Sequence, residues 1–369
     1  MQKNKTIWVV LRSHLITLPP VMTVINCLLN TEEYNVKLVS TKESEINHPL
    51  YEEFIIGQTH KVGLAKKISN YYFFRKFVQK TFTEKLKEDD LVWIASLDTA
   101  QACKGLSFLD TNKYILHLHE LYDNYPKKLN SIKEISQKAY KIVVPELNRA
   151  RILQVWLQLK ERPTVLPNKP WTHPRTKYMI PTHESTKEII KNYDSSKKII
   201  IYQGHIEKGR SLEPIIEAIS DIDNVEFWLM GIDHGYVAEL LKMSDKVKYW
   251  GYVPAPYHLE VTSYADIGIM SYDLINLNHM YCAPNKVWEY LGFNLFFICN
   301  EVGSLDSFKL HGCCDLLDFK NKNDIKLSIV KNLQVKHNFS NYYDSVNLDE
   351  ILKNILKAKS ESLNESTKI

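Results

Sequence analysis

The stretch Ile201-Tyr202-Gln203-Gly204-His205-Ile206-Glu207-Lys208-Gly209-Arg210-Ser211-Leu212-Glu213 passes from an apolar run, through a loop with two glycines and two cations, into the start of a helix. That arrangement suits an anion. Glycines let backbone amides approach phosphate, a helix start adds partial positive charge, and Lys208 and Arg210 can neutralise a diphosphate. Glycine at helix ends and cations on surfaces are also ordinary, so the stretch takes its meaning from its surroundings.

Outward from it, strand-like and helix-like segments alternate along the chain, the pattern of parallel sheets with crossover helices. Strands are predicted downstream at 198–203, 225–230, 247–251, 267–271 and 295–299, with helices at 212–220, 236–243, 257–265, 286–292 and 325–333. Upstream the predicted strands are 6–13, 34–41, 90–96, 113–119, 141–145 and 164–167, and the clearest helices 64–86, 125–139 and 147–160. Short apolar runs bounded by polar turns read as buried parallel strands. Three prolines in the eight residues from Pro167 to Pro174, followed by weakly periodic polar sequence to Ser196, mark a linker. The expected class is α/β, with two doubly wound Rossmann-like domains at 1–170 and 197–340, a linker at 171–196, and a terminal helix at 348–357 with a polar tail within 341–369. Such domains carry their ligands on loops at the carboxyl ends of strands, here in a cleft expected between the two.

Composition narrows the function. A chain of 369 residues with 44% hydrophobic and 24% charged residues is globular, and a formal charge of +4 favours anionic ligands without reaching the balance of a nucleic-acid binder. The apolar run Thr6-Ile7-Trp8-Val9-Val10-Leu11 is too short for a signal peptide or spanning helix, which points to the cytoplasm. Six scattered cysteines without a CxxC argue against structural zinc and a disulfide framework. Only 12 glycines are present, with no GxGxxG or P-loop, and no GxSxG suggests a serine hydrolase.

A second element is Tyr281-Cys282-Ala283-Pro284-Asn285-Lys286-Val287-Trp288-Glu289-Tyr290-Leu291, which lies before the predicted strand at 295–299. Pro284 suits a first helical turn, and Glu289, farther along that helix, is placed to accept both hydroxyls of a ribose, or else is a solvated helix residue. In this order, separated by Gly251-Tyr252-Val253 and Ala265-Asp266-Ile267-Gly268, the two elements resemble the donor-binding domain of GT-B glycosyltransferases of the retaining family 4 group. The resemblance spans most of 198–305. It implies that Gly204, His205, Lys208 and Arg210 hold the donor diphosphate, with Lys208 and Arg210 also stabilising the leaving charge. Pro284, Asn285, Lys286 and Glu289 would complete the donor site, Tyr252 and Val253 would lie beside the base, and no metal is required. Two positions depart from the family pattern: Tyr281 stands where many members carry a first glutamate, and His205 where they carry arginine. The run from Asn278 to Lys286 looks like a branch common among bacterial surface-polysaccharide transferases.

In the first half, His119-Glu120-Leu121-Tyr122 is similar to a segment of that branch whose histidine approaches the transferred sugar. His119 is therefore a candidate catalytic residue, although a core or surface histidine would also fit. His117 shares its face of the strand. Ser13, His14, Glu120 and Asn168 are acceptor-side candidates. The helix at 64–86 mixes Lys66, Lys67, Arg75, Lys76 and Lys80 with Tyr71, Tyr72, Phe73, Phe74 and Phe77; it reads as a core helix with a solvated back or as a peripheral contact with an anionic membrane. The resemblance implies transfer from a UDP- or GDP-linked sugar to a glycan or lipid-linked acceptor in cell-surface polysaccharide synthesis. Alternatives are a nucleotide-sugar 2-epimerase of the same fold and a noncatalytic nucleotide-binding scaffold. The Asp221-Ile222-Asp223 triplet matches a metal-binding DxD in letters, but its setting reads as a turn.

Overall fold

Runs of β-branched and aromatic residues, KTIWVV at Lys5–Val10 (β1) and KIIIYQ at Lys198–Gln203 (β8), form inner strands of two all-parallel sheets. Side chains of this kind pack well on a pleated surface buried on both faces. The computed structural model describes residues 4–56 and 63–357, with only the backbone of 63–68. Two compact units result. One holds the described residues up to Trp171 together with those from Asn347 onward, and the other is Thr172–Val346.

The first sheet continues with β2 (Tyr34–Ser40), β3 (Tyr51–Ile55), β4 (Leu91–Ala95), β5 (Tyr114–His117), β6 (Lys141–Val144) and β7 (Thr164–Val165), in the order β3-β2-β1-β4-β5-β6-β7. The second continues with β9 (Val225–Met230), β10 (Val247–Tyr249), β11 (Ile267–Met270), β12 (Phe296–Asn300) and β13 (Cys314–Leu317), in the order β10-β9-β8-β11-β12-β13. Strand order reverses between β1 and β4 in one and between β8 and β11 in the other. In doubly wound sheets ligands gather outside the strand carboxyl ends at that reversal. The register Ile200↔Ile267 and Tyr202↔Ile269 brings the loop after Gln203 beside the loop after Met270.

Each unit has its own buried core, centred on Ile7, Val9 and Trp93 in the first and on Ile200, Phe227, Ile269 and Phe297 in the second. Leu348, Leu352 and Ile355, on one stripe of the helix Leu348–Leu356, are buried in the first core, so the chain returns to its first unit. The segment expected to be a linker holds the helix Glu184–Lys191, which buries Thr186 and Ile189. The helix expected at 125–139 is two, Pro126–Ser131 and Lys133–Lys138, broken at Ile132. Strands β3 and β13 have no counterpart in the sequence reading. Both lie at sheet edges, and Glu52, Glu53 and Asp315 interrupt their apolar pattern.

Candidate functional site

Three glycines with left-handed backbones follow β8, β9 and β10: Gly204, at the reversal between β8 and β11, with φ +127°, then Gly231 at +150° and Gly251 at +75°. Gly204 N donates to Met230 O at 2.9 Å, and Gly231 N to Gly251 O at 2.8 Å. A Cβ on Gly231 would lie 1.7 Å from Gly204 O, so the close approach of these loops requires glycine. A Cβ on Gly204 would lie 3.0 Å from Lys286 Nζ, which places that ammonium directly against the loop.

Two cations converge there. Lys286 Nζ stands 4.7 Å from the centroid of the Tyr202 ring, and burial, then the nearby Arg210, push its pKa down to about 8. The Arg210 guanidinium lies 4.5 Å from the Tyr272 centroid, donates to Ser271 O at 3.3 Å, and is only 18% exposed. Tyr272 is itself fixed by Asn300, which accepts from its N–H at 3.0 Å and donates to its carbonyl at 2.7 Å. Lys208 is placed differently: it is 71% exposed and pairs with Glu239 at 2.8 Å. The cation beside Gly204 is thus Lys286, while Lys208 sits in an outer ion pair.

Glu289 lies on the helix Asn285–Gly292, whose N-cap is Pro284 and whose Tyr290 hydroxyl donates to Ile269 O at 3.1 Å, anchoring it to β11. One carboxylate oxygen of Glu289 accepts from Gln203 Nε2, and the other lies 3.3 Å from His258 Nε2. Gln203 is oriented in turn by Thr262, whose hydroxyl donates to Gln203 Oε1 at 2.6 Å. Burial alone would raise the Glu289 carboxyl, but His258 and Lys286 outweigh it and hold it below the usual carboxylate range. A carboxylate has about four lone-pair directions. Glu289 can therefore keep both partners and still accept from a vicinal diol. Tyr202 and Gln203 lie in the opening stretch without being given a role there, and His258 carries no local motif.

Tyr252 is 62% exposed beside the buried Val253, after Gly251. His205 is exposed and hydrogen-bonds His234 across the loops. Tyr281 packs near Gly303, where a Cβ would come within 3.2 Å of its ring. Asp221 pairs with Lys326 at 3.3 Å in the turn before β9, consistent with a surface turn. Among the described residues no group of three or more His, Cys, Asp or Glu is placed to hold a metal ion.

In the first unit His119 follows β5, and its ring centroid is 4.0 Å from that of His117. All four ring nitrogens are buried without a hydrogen-bond partner. Burial and then the Arg149 guanidinium push the His119 pKa down to about 3, and burial keeps His117 well below its ordinary value. His119 is therefore a neutral imidazole sealed in this conformation. Arg149, itself buried, donates to His119 O and lies 3.2 Å from Glu120, whose side chain is half exposed. Ser13 lies in the bend after β1, His14 Nε2 meets Glu43 O at 3.1 Å, and Asn168 follows β7 half-buried. In the helix Gly63–Lys85, Phe74, Val78 and Phe82 face the core, whereas Tyr72 and Phe73 are exposed with Lys76 over the Tyr72 ring. Lys66 and Lys67 lie outside the described side chains. Among the described residues no helix is long and apolar enough to cross a membrane. A cavity of about 510 Å³ opens at the amino ends of β6 and β7 and contains none of the predicted site residues.

Comparison with solved structures decides the architecture. A sucrose-phosphate synthase from Thermosynechococcus elongatus superposes with a TM-score of 0.67 at 14% identity, over 99% of this chain and 98% of that one. An α,α-trehalose-phosphate synthase (UDP-forming) from Burkholderia xenovorans, in complex with glucose-6-phosphate, gives 0.65 at 11% identity over 95% and 99%. The chain has the GT-B fold. Anabaena HepE in complex with UDP and glucose is likewise similar, with a TM-score of 0.62 at 12% identity over 98% and 99%. No family model matches the chain, and no curated protein matches it significantly in sequence. In this GT-B chain the Gly204, Arg210, Lys286 and Glu289 cluster lies at the strand reversal of the second Rossmann-like unit.

Proposed function

We propose that this chain is a glycosyltransferase that moves a sugar from a UDP- or GDP-linked donor to a glycan or lipid-linked acceptor in cell-surface polysaccharide synthesis, with retention and without a metal. The observation that carries the reading is Lys286 set against Gly204, with the Arg210 guanidinium near enough to lower its pKa and the Glu289 carboxylate on the same helix as Lys286. In this reading the donor diphosphate lies over Gly204, and the charge that develops on its leaving oxygen is stabilised by Lys286, Arg210 and the helix start at Asn285, with Lys208 adding an outer cation. Glu289 accepts from the ribose, and the base runs along Gly251, Tyr252 and Val253. His119, once uncovered, hydrogen-bonds the transferred sugar, while Ser13, His14, Glu120 and Asn168 serve the acceptor. The 1–170 region takes the acceptor and the 197–340 region the donor, in the retaining family 4 manner. The work is done in the cytoplasm at the inner face of an anionic membrane, where the exposed Tyr72, Phe73 and Lys76 supply an aromatic and basic contact.

A noncatalytic nucleotide-binding scaffold is the second reading, favoured by the sealed ring nitrogens of His119. Turnover separates the two. Purified protein is incubated with UDP- and GDP-hexoses in the presence of a chelator, and free nucleoside diphosphate is measured with and without a membrane extract as acceptor source. The transferase reading expects release from one donor, accelerated by the extract and unaffected by the chelator, and greatly slowed in Arg210→Ala. Tight nucleotide binding with no release from any donor would establish the scaffold instead.

A further inference from the structure

His205 and His234 stand on loops that the backbone ties together before the side chains meet. Ile206 and Asp233 form a parallel bridge, Ile206 N donates to Ile232 O at 2.9 Å, and His234 N donates to Ile206 O at 2.9 Å. The Tyr202 hydroxyl fixes the next contact by donating to His205 O at 2.7 Å. Across the two loops His205 Nδ1 and His234 Nε2 are 2.8 Å apart, with ring centroids 5.1 Å apart and planes at 27°. The centroid separation is close to its geometric maximum, the N···N distance plus two ring radii. The shared proton therefore lies close to the line of centres.

Two neutral imidazoles can make this bond in two ways. If His205 Nδ1 donates, the outer Nε2 of His205 is left as an acceptor, which repels a phosphate oxygen. If His234 Nε2 donates, Nε2–H of His205 is left as a donor. We infer that His234 is a positioning residue that holds His205 in this second tautomer, so that His205 donates from Nε2 to the diphosphate over Gly204, and that the pair takes up a proton as the anion binds. The inference rests on the donor-site reading and adds a recognition element to it. The neighbouring charges leave the role open to the imidazoles. Asp233, on the loop of His234, is held below the usual carboxylate range by the backbone N–H groups of Val237 and Tyr236, and Lys208, on the loop of His205, is paired with Glu239. Glu207 lies near Arg210 at 3.4 Å, and Lys286 stands beside Gly204.

The test is calorimetric titration of wild type, His234→Ala and His234→Gln with UDP and, separately, GDP at about pH 6 and about pH 8, where imidazole changes charge. Ionisation of the nucleotide itself cancels when variants are compared at one pH. Both histidines are exposed, so the substitutions leave the core untouched. Loss of a charge-assisted hydrogen bond predicts that His234→Ala weakens binding about tenfold at the lower pH and about two- to threefold at the higher. Glutamine, whose amide can donate to His205 Nδ1 without titrating, restores affinity at the higher pH but not the gain at the lower. Binding by wild type with the same wild-type to His234→Ala ratio at both pH values overturns the inference and leaves the donor site standing. No binding of either nucleotide to wild type would overturn both.

Discussion

In the proposed transfer reaction, Lys286→Met slows turnover by about 10²–10³-fold, the scale of losing one preorganised donor at a developing negative charge, while the melting curve stays close to that of wild type. The reason lies in where the ammonium sits. It touches the Gly204 loop, lies over the Tyr202 ring, and has no carboxylate ion-pair partner among the described residues. Burial and Arg210 have already lowered its pKa to about 8. A bound diphosphate reverses that balance and restores the proton. The sign of the pH effect follows: the charge is present below about 8 and lost above it, so nucleotide affinity in wild type declines as pH rises from about 7.5 to about 9.5. Lys286→Arg, which keeps its charge, flattens that decline. Initial rates and titrations across this range check both statements; wild-type turnover in Lys286→Met would remove the residue from the leaving-group site. Lys208→Ala is expected to cost less, because Lys208 is largely exposed and already paired with Glu239.

Gly231→Ala is the second large effect. The new Cβ would lie 1.7 Å from the Gly204 carbonyl oxygen, and the backbone at φ +150° is one that side chains disfavour. One of the two loops must move, at a cost of about 3 kcal/mol or more. For a unit of this size that lowers the melting temperature by roughly 6–12 °C, and with the donor diphosphate over Gly204, as proposed, it abolishes nucleotide binding. Gly235→Ala is the matched control: its φ is +87°, but nothing lies within 4 Å of the new Cβ, so it costs about 1–2 kcal/mol from backbone strain alone. Equal losses in the two variants, read by thermal melting, would mean that the contact between the loops does not govern the site.

The alternation of short apolar runs and amphipathic segments made the central strands legible, since β1, β8, β9 and β11 are buried along most of their length. The edge strands β3 and β13 escaped because their composition is mixed, as in YEEFI and CDLL, whereas the edge strands β7 and β10 fall within the stretches predicted at 164–167 and 247–251. Strand alternation correctly placed His117 and His119 on one face. It could not show that Trp93 and Arg149, from other elements, would close over them. The same limit applies to Glu289. Its position on a helix could be read locally, but Gln203 and His258 reach it from β8 and from the helix His258–Thr262, and no local pattern announces such partners. The cations were visible as residue types. Which of them reaches Gly204 depended on the direction in which the helix Asn285–Gly292 enters the reversal point, a property of packing.

The most direct measurement is the thermal shift of wild type and Glu289→Ala with UDP, GDP, ADP and CMP. A ligand at 100 times its dissociation constant adds about 2.7 kcal/mol, enough to raise the melting temperature by several degrees. Donor binding at Glu289 requires that one nucleoside diphosphate, UDP or GDP, stabilises wild type and that Glu289→Ala abolishes the shift, since the ribose would lose its carboxylate. A wild-type melting temperature unmoved by every nucleotide would contradict it.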